Sequence, residues 1–437
     1  MGTKTMLNRR SFLQAAVGSG LGSATGFAPL RSAAASIGLP LHITDIETLV
    51  LRDPPERKPE DQFVSMTPLG ATTGGIGLWN RIERAETVRQ GGYRQTLLVK
   101  VTTDQGIVGW GESHAVMTPR VVQTVITDMF RPILLGQDAR QIEALWEKMY
   151  STQRLRGYGS GYYTRAMAGI DIALWDIVGR AAGVPVYQLL GGKFRDSIPT
   201  YQGVGGGAPE EVRDNAQALL DRGFPNQKMS LAKGRGEQAR DVNRVFAAAG
   251  VLSGKGQILV DSLAGYTLAE ATRVGRKLDE IENLGWWEDV LMPEDYGAYA
   301  ILADRMDVPI CAGEQYSNRF QFRDLFEKRA CDIVNPDTSR VGITETKRVA
   351  IMADAYNILF APHSSMGSAP YRASAIHLCA ATPNAVILEG GESYVRAFGN
   401  ALLSVPLPYK PGHVEVPDGP GLGFEFDEKE LSKLVVG

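Results

Sequence analysis

Short apolar runs alternate along most of this chain with longer stretches of helical period, and from about residue 224 the alternation becomes regular. ILV stands before Asp261, LGWW before Glu288, VPICAG before Glu314, CDIVNP before Asp337, ILFAP before His363 and AVIL before Glu389. Short apolar runs bounded by polar or turn residues predict buried strands. Between them, TLAEATRVGRKLDEIENL (267–284) and TETKRVAIMADAYN (344–357) carry apolar positions at helical spacing. Strand and helix in alternation make βαβ units, hence an α/β fold with a parallel sheet and helices outside it.

An ionisable residue follows each run, and Lys228 extends the series at its start. Lys228, Asp261, Glu288, Glu314, Asp337, His363 and Glu389 succeed one another at intervals of 23 to 33 residues by subtraction. An eight-fold (β/α) barrel of about 250 residues spends roughly 30 on each unit. Its C-terminal strand ends meet at one mouth, so the pitch predicts that these seven side chains converge.

Upstream the pattern is different. Residues 41–51 alternate as a strand, and 95–103 with 107–110 read as a hairpin turning at Asp104-Gln105-Gly106. Helical period appears at 119–130 and 138–150. The stretch 52–92, rich in Pro, Gly and charge, reads as a linker or a functional loop, with Trp79 and Arg81 near its end. RGYGSGYY (156–163) breaks the helical pattern. TRAMAGIDIALWDIVGRAAG then resumes it, with Met167, Ile170, Leu174 and Ile177 at helical spacing until Gly183 stops it. Residues 203–207 read as a glycine-rich connector into the first barrel units. The predicted division is an export segment at 1–35, an α+β domain at 36–155, the barrel at 156–400 and a segment at 401–437 that returns to the α+β domain.

Composition narrows the class. The 437 residues are 44% hydrophobic and 22% charged, ordinary for a globular protein with a large core. A net charge of −3 and a pI near 6.1 offer no footprint for nucleic acid or an anionic membrane. Cys311, Cys331 and Cys379 are odd in number and sit in apolar context, which predicts buried free thiols rather than disulfides or a thiolate metal site. At the start, Asn8-Arg9-Arg10-Ser11-Phe12-Leu13 precedes an Ala/Gly-rich run and Ser32-Ala33-Ala34-Ala35. That order resembles a twin-arginine export signal and predicts a periplasmic or secreted protein. No other run approaches the roughly 20 apolar residues of a membrane span.

The chemistry lies in the series of seven. Any one of its acids alone would read as a helix cap or a surface charge. Asp261, Glu288 and Glu314, on three consecutive strand ends, would make an all-oxygen site that favours a hard cation such as Mg²⁺ over zinc. Lys228, one strand earlier, would aim its ammonium at whatever anion the metal holds. Asp337 and His363 fall on adjacent strand ends, where a carboxylate on one imidazole nitrogen strengthens the other as a base. Glu389 reads either as a protonated hydrogen-bond donor or as a salt-bridge partner. Metal, lysine and His-Asp pair together suit removal of a proton beside a carboxylate, giving an enediolate.

The same order of residues, with GFPNQKMS, WWED, AGEQ, NPD, APHSS and GIDIALWDIVGRAAGVPVYQLLGG, resembles the enolase superfamily and within it the mandelate racemase group. The resemblance covers nearly everything after residue 40. It implies a (β/α)7β modified TIM barrel with an N-terminal α+β capping domain, Mg²⁺ held by Asp261, Glu288 and Glu314, an Asp337–His363 base dyad, and Glu389 bonded to the substrate carboxylate. It also implies a homo-oligomer.

Departures from the family pattern bear on the reaction. Racemases of the group carry a second lysine two positions after the first, where this chain has Ser230. Some sugar-acid dehydratases carry a histidine two residues after the third-strand Asp, where this chain has Leu263. One strong acid/base group remains. GFPNQKMSLAKG, WWEDVLMPEDYGAYAIL and CDIVNPDTSRVGITETKRVAIMADAY look like acid-sugar dehydratases of the L-rhamnonate type. The expected activity is Mg²⁺-dependent dehydration of a sugar acid to a 2-keto-3-deoxy acid, with His363 taking the α-proton and returning it to the departing hydroxyl. Another enolate reaction of the group, or a non-catalytic exported binding protein, is the alternative.

Overall fold

The computed structural model describes residues 39–53, 64–66, 87–89, 94–113, 115, 118–231, 238–365, 367–391 and 398–436. The export segment, and most of the 52–92 stretch with Trp79 and Arg81, lie outside the described residues.

Three antiparallel strands begin the chain: β1 (Ile43–Asp53), β2 (Arg94–Thr103) and β3 (Val108–Ser113), in the order β1-β2-β3. The predicted turn closes β2 onto β3, with Gly106 at φ +74°. Helices α1 (Ile142–Arg154) and α2 (Tyr162–Ala182) cover the sheet, and Val99, Val101, Phe130, Trp146, Ile170 and Leu174 share a buried core. The close approach of α2 depends on Gly111, where an added Cβ would stand 1.8 Å from the Gly169 carbonyl oxygen. Gly183, left-handed at φ 69°, ends α2 as its spacing predicts.

The barrel follows. Its strands are β4 (Ser197–Gly203), β5 (Gln227–Ser230), β6 (Ile258–Asp261), β7 (Leu284–Glu288), β8 (Ile310–Ala312), β9 (Ile333–Val334), β10 (Leu359–Phe360) and β11 (Leu388–Glu389). Seven helices alternate with them: α3 (Pro209–Asp221), α4 (Gln238–Leu252), α5 (Leu268–Leu278), α6 (Tyr296–Arg305), α7 (Arg319–Glu327), α8 (Thr338–Ala355) and α9 (Ala369–Ala380). Neighbouring strands pair in parallel from β4 through β10. The sheet returns on itself. Phe360 N donates to Asn384 O at 2.9 Å and Val386 N to Phe360 O at 3.0 Å, while β11 pairs with β4 at Leu388–Thr200 and Glu389–Tyr201. Tyr201, Leu259, Trp286, Cys311, Ile333, Ala361 and Ile387, from successive strands and their ends, form a cluster separate from the helix-facing core and fill the interior. All three cysteines are buried and free, as expected.

Several boundaries differ from the pattern. β4 occupies SIPTYQG, where Pro199 and mixed polarity hide a strand. Its first half pairs antiparallel with His413–Glu415 and only its second half with β11. α5 stops at Leu278 rather than 284, because Asp279 turns the chain and accepts from Asp307 N and Val308 N. α8 starts six residues before the predicted 344 and is broken at Gly342 (φ 81°, ψ 172°), beside the Asp171 carboxylate of α2, which accepts from Thr344 N at 2.9 Å.

A second acid of α2 joins the parts. Asp176 accepts from Trp110 N on β3 at 2.9 Å, from Leu422 N of the C-terminal segment at 2.8 Å and from Arg180 Nε at 2.9 Å, with no exposure to solvent. Farther along, Val436 N donates to Val50 O and Arg52 N to Leu434 O, both at 2.9 Å. Removing the Asp176 carboxylate leaves the buried Leu422 N–H and the part-buried Trp110 N–H without their acceptor, while Arg180 keeps Glu425 and the Phe424 carbonyl oxygen. Asp176→Ala is therefore expected to cost roughly 2–4 kcal/mol, read by urea denaturation against Asp221→Ala on the exposed end of α3. A loss below about 1 kcal/mol would contradict this account.

Candidate active site

Strand alternation decides which side chains enter the barrel. Lys228 is the register partner of Leu259, an interior residue, so its stem runs inside and its ammonium rises toward the mouth. Asp261 and Glu288 end β6 and β7 and are register partners of each other. Glu314 lies two residues past β8, after Gly313 at φ 139°. Asp337 caps α8 through Ser339 N at 2.8 Å and is bridged to His363 beyond β10. Glu389 closes β11 and accepts from Ser364 N at 3.0 Å. All seven predicted side chains meet at one end of the barrel.

Two centres can be distinguished among them. Lys228 Nζ lies 3.2 Å from Glu288 Oε2, 3.4 Å from Asp261 Oδ2, 3.8 Å from Glu389 Oε1 and 5.1 Å from the centre of the Tyr201 ring. His363 Nδ1 lies 2.8 Å from Asp337 Oδ2, and its Nε2 is 3.0 Å from Glu314 Oε2 and 3.4 Å from Glu389 Oε2. His363 is only 7% exposed, so these carboxylates rather than water define its surroundings.

Burial and crowding set the charges. Burial pushes Glu288 up to about 7, and Asp261, Glu314 and Glu389 add to the push against the attraction of Lys228. Asp261 is raised first by burial and then by Glu314, again against Lys228. For Lys228 and His363 burial works against the charge but loses. Glu288 and Glu389 hold Lys228 well above the ordinary lysine range, and Glu314 and Glu389 do the same for His363. Burial also works against the Glu314 and Asp337 carboxylates, yet His363 and Arg340 keep both below the usual range.

Several participants carried no separate signal in the sequence. Asn335, in the NPD motif, donates to Glu288 Oε1 and Trp286 Nε1 donates to Glu288 Oε2, both at 3.0 Å. Arg340, one turn after Asp337, reaches the Glu314 carbonyl oxygen, Glu314 Oε1 at 3.4 Å and Asp337 Oδ2 at 3.5 Å. Its helical spacing from Asp337 was the available clue. Asp289, the other acid of WWED, is 1% exposed and left-handed at φ 46°. Burial and the neighbouring Glu314, Glu288 and Asp261 hold it well above the usual carboxylate range. Ser230 and Leu263 flank the site, and Leu263 N donates to Asp261 Oδ1 at 3.0 Å.

The donor set fits a dication. Glu288, Asp289 and Glu314 offer carboxylate oxygens within 4.8 Å of one another, whereas Asp261, the third predicted ligand, is not part of that group and instead lies 3.4 Å from Lys228 Nζ. Asp289 Oδ1 is buried without a hydrogen-bond partner. Six carboxylates (Asp261, Glu288, Asp289, Glu314, Asp337 and Glu389) face three cationic groups, and oxygen ligands alone suit Mg²⁺.

Comparison with known proteins agrees with this geometry. Residues 211–430 match the enolase C-terminal domain-like family, and 85–191 match the N-terminal domain of mandelate racemase and muconate lactonizing enzyme. A D-galactonate dehydratase of Verminephrobacter eiseniae (strain EF01-2) is 33% identical over 346 residues, 76% of this chain and 89% of the relative. A D-galactarolactone cycloisomerase of Agrobacterium fabrum (strain C58 / ATCC 33970) is 31% identical over 355 residues, 78% and 91% of the two chains. Among solved structures, the 3,6-anhydro-D-galactonate cycloisomerase of Zobellia galactanivorans aligns at a TM-score of 0.74 and 29% identity, over 91% of this chain and all of that one. In sequence, in fold and in the succession of groups around the barrel mouth, this chain belongs to the enolase superfamily, in its mandelate racemase and muconate lactonizing enzyme group.

Proposed function

We propose that this protein is a hydro-lyase that dehydrates a sugar acid to a 2-keto-3-deoxy acid, with His363 as the base. The observation that carries the reading is the buried imidazole held by Asp337 at 2.8 Å on Nδ1, which leaves Nε2 turned toward the acidic mouth. Asp261, Glu288 and Glu314, with Asp289 beside them, would hold Mg²⁺, which when bound neutralises the substrate carboxylate and the negative charge that grows on it.

His363 Nε2 takes the α-proton, and the C–H electron pair moves into the carboxylate as an enediolate. Lys228, fixed among Glu288, Asp261 and Glu389, offers its ammonium to that charge. Glu389, which accepts from Ser364 N and lies 3.4 Å from His363 Nε2, would in its protonated form donate to the substrate carboxylate. When the electron pair returns, the Cα–Cβ double bond forms and the Cβ–O bond breaks. The imidazolium gives its proton to the leaving oxygen, which departs as water, and the enol becomes the 2-keto acid. With Ser230 and Leu263 at the positions of other acid/base groups in the family, His363 serves both steps from one face.

Cycloisomerisation is a second reading, favoured by the two relatives named as cycloisomerases. It shares the proton removal but expels an oxygen tethered within the substrate, so product mass is unchanged. Mass spectrometry after incubation with aldonic and aldaric acids, beginning with D-galactonate, and with their lactones and anhydro forms separates the two.

His363→Ala and Asp337→Asn are expected to lower kcat by roughly 10²–10⁴-fold, with α-proton exchange in D₂O lost in the same variants. Undiminished exchange in His363→Ala would remove His363 as the base. Chelation by EDTA should abolish turnover and excess Mg²⁺ restore it, whereas persistent turnover in EDTA would count against the metal. The protein is also proposed to be exported, on the strength of Arg9-Arg10-Ser11-Phe12-Leu13. Cell fractionation should place it outside the cytoplasm and retain the Arg9→Lys/Arg10→Lys variant inside. Equal distribution of the two would defeat the export reading.

A further inference from the structure

Tyr371, on the first turn of α9, is fully buried and has no part in the steps above. Its hydroxyl lies 3.3 Å from His363 Nδ1, donates to the His363 carbonyl oxygen at 3.2 Å and accepts the Ser365 N–H at 3.1 Å. Nδ1 is also the nitrogen that meets Asp337. One short contact fixes where that nitrogen lies but lets the ring pivot about it. A second group at the same nitrogen, bonded to the backbone of the same residue, removes the pivot and fixes the direction of Nε2.

The place of Tyr371 is set from the capping domain. The Ser368 N–H, just ahead of α9, donates to both oxygens of Glu112 on β3 at 3.0 and 2.9 Å, and the Ser368 hydroxyl donates to Glu112 Oε2 at 2.7 Å. The Thr96 hydroxyl on β2 holds the other oxygen. A carboxylate suits the start of a 12-residue helix, whose first N–H groups lack intrahelical acceptors. Gly367 keeps the parts close, since a Cβ there would lie 2.3 Å from the Tyr371 ring and 3.0 Å from Glu112 Oε1.

We propose that Tyr371 is a positioning residue for the His363 imidazole, and that Glu112 sets its place across the domain boundary. The inference rests on His363 being the base of the reaction proposed above. It is tested on the full chain with Mg²⁺, labelled with ¹⁵N-histidine, by following the ring-nitrogen resonances of His363, assigned by their loss in His363→Gln. Tyr371→Phe and Glu112→Gln should both move those resonances and leave those of the remote His42 and His413 in place. On a substrate that turns over, kcat should fall about tenfold with KM unchanged. His363 resonances that stay put in Tyr371→Phe overturn the proposal, and a shift in Tyr371→Phe without one in Glu112→Gln overturns the link to the cap. Should His363→Gln keep exchanging the α-proton of D-galactonate in D₂O, the base assignment itself fails. A silent Tyr371→Phe beside an inactive His363→Gln would sink this inference alone.

Discussion

Like charge gathered out of water is the constraint from which the rest of this molecule follows. Two unit charges 4 Å apart interact by about 4 kcal/mol at an effective dielectric of 20. The mouth packs six carboxylates at such separations around Lys228, His363 and Arg340. Lys228, His363 and Arg340, with Arg165 acting on Asp337, do not match six ionised carboxylates, so burial and the excess together raise Asp261, Glu288 and Asp289. Burial raises Glu288 to about 7 and holds Asp289 well above the usual carboxylate range, and one Asp289 oxygen has no hydrogen-bond partner. A dication would relieve that excess, and the anion of a substrate would then meet a positive rather than a negative mouth.

Holding the acids against their repulsion falls to the strands and to the elements just behind them. Asp337 illustrates the economy: one oxygen caps α8 through Ser339 and the other meets His363. The helix is then interrupted at Gly342, where Asp171 from α2 begins it afresh. The single turn that carries Asp337 and Arg340 is thus set by the barrel mouth, while the remainder of α8 packs against α2. Glu112 does the same for α9. Both helices that follow the dyad therefore take a carboxylate, at or near their N-terminal ends, from the three-stranded sheet or from the helix that covers it.

How much of this was legible in the sequence follows from what each feature costs locally. Strand ends were legible because buried strands must be continuously apolar and a charge after them must be at the rim, and the seven side chains named on that ground do meet at the mouth. β4 was not, because Pro199 and the polar Gln202 are tolerated where the strand changes partners, an arrangement visible only once the C-terminal segment is in place. The break at Gly342 was hidden because its cause, Asp171, lies far away in the sequence. Asn335, Arg340 and Tyr371 were missed for a related reason. A side chain that acts by touching another functional group has no pattern of its own.

The burial of His363 also bears on the elimination proposed above, in which one imidazole serves both halves. A proton taken by an exposed base is lost to solvent before it can be reused, and the second step then needs a separate acid. Here the imidazole is 7% exposed and hemmed in by Glu314, Glu389 and Asp337, which stabilise its protonated form. In that proposed reaction such an imidazolium would keep its proton until an oxygen on the same face, developing negative charge as its bond to carbon weakens, became the stronger acceptor. In the proposed reaction, the geometry that shields His363 from water would therefore also suit it to protonate a leaving group, without a second acid/base group at Ser230 or Leu263.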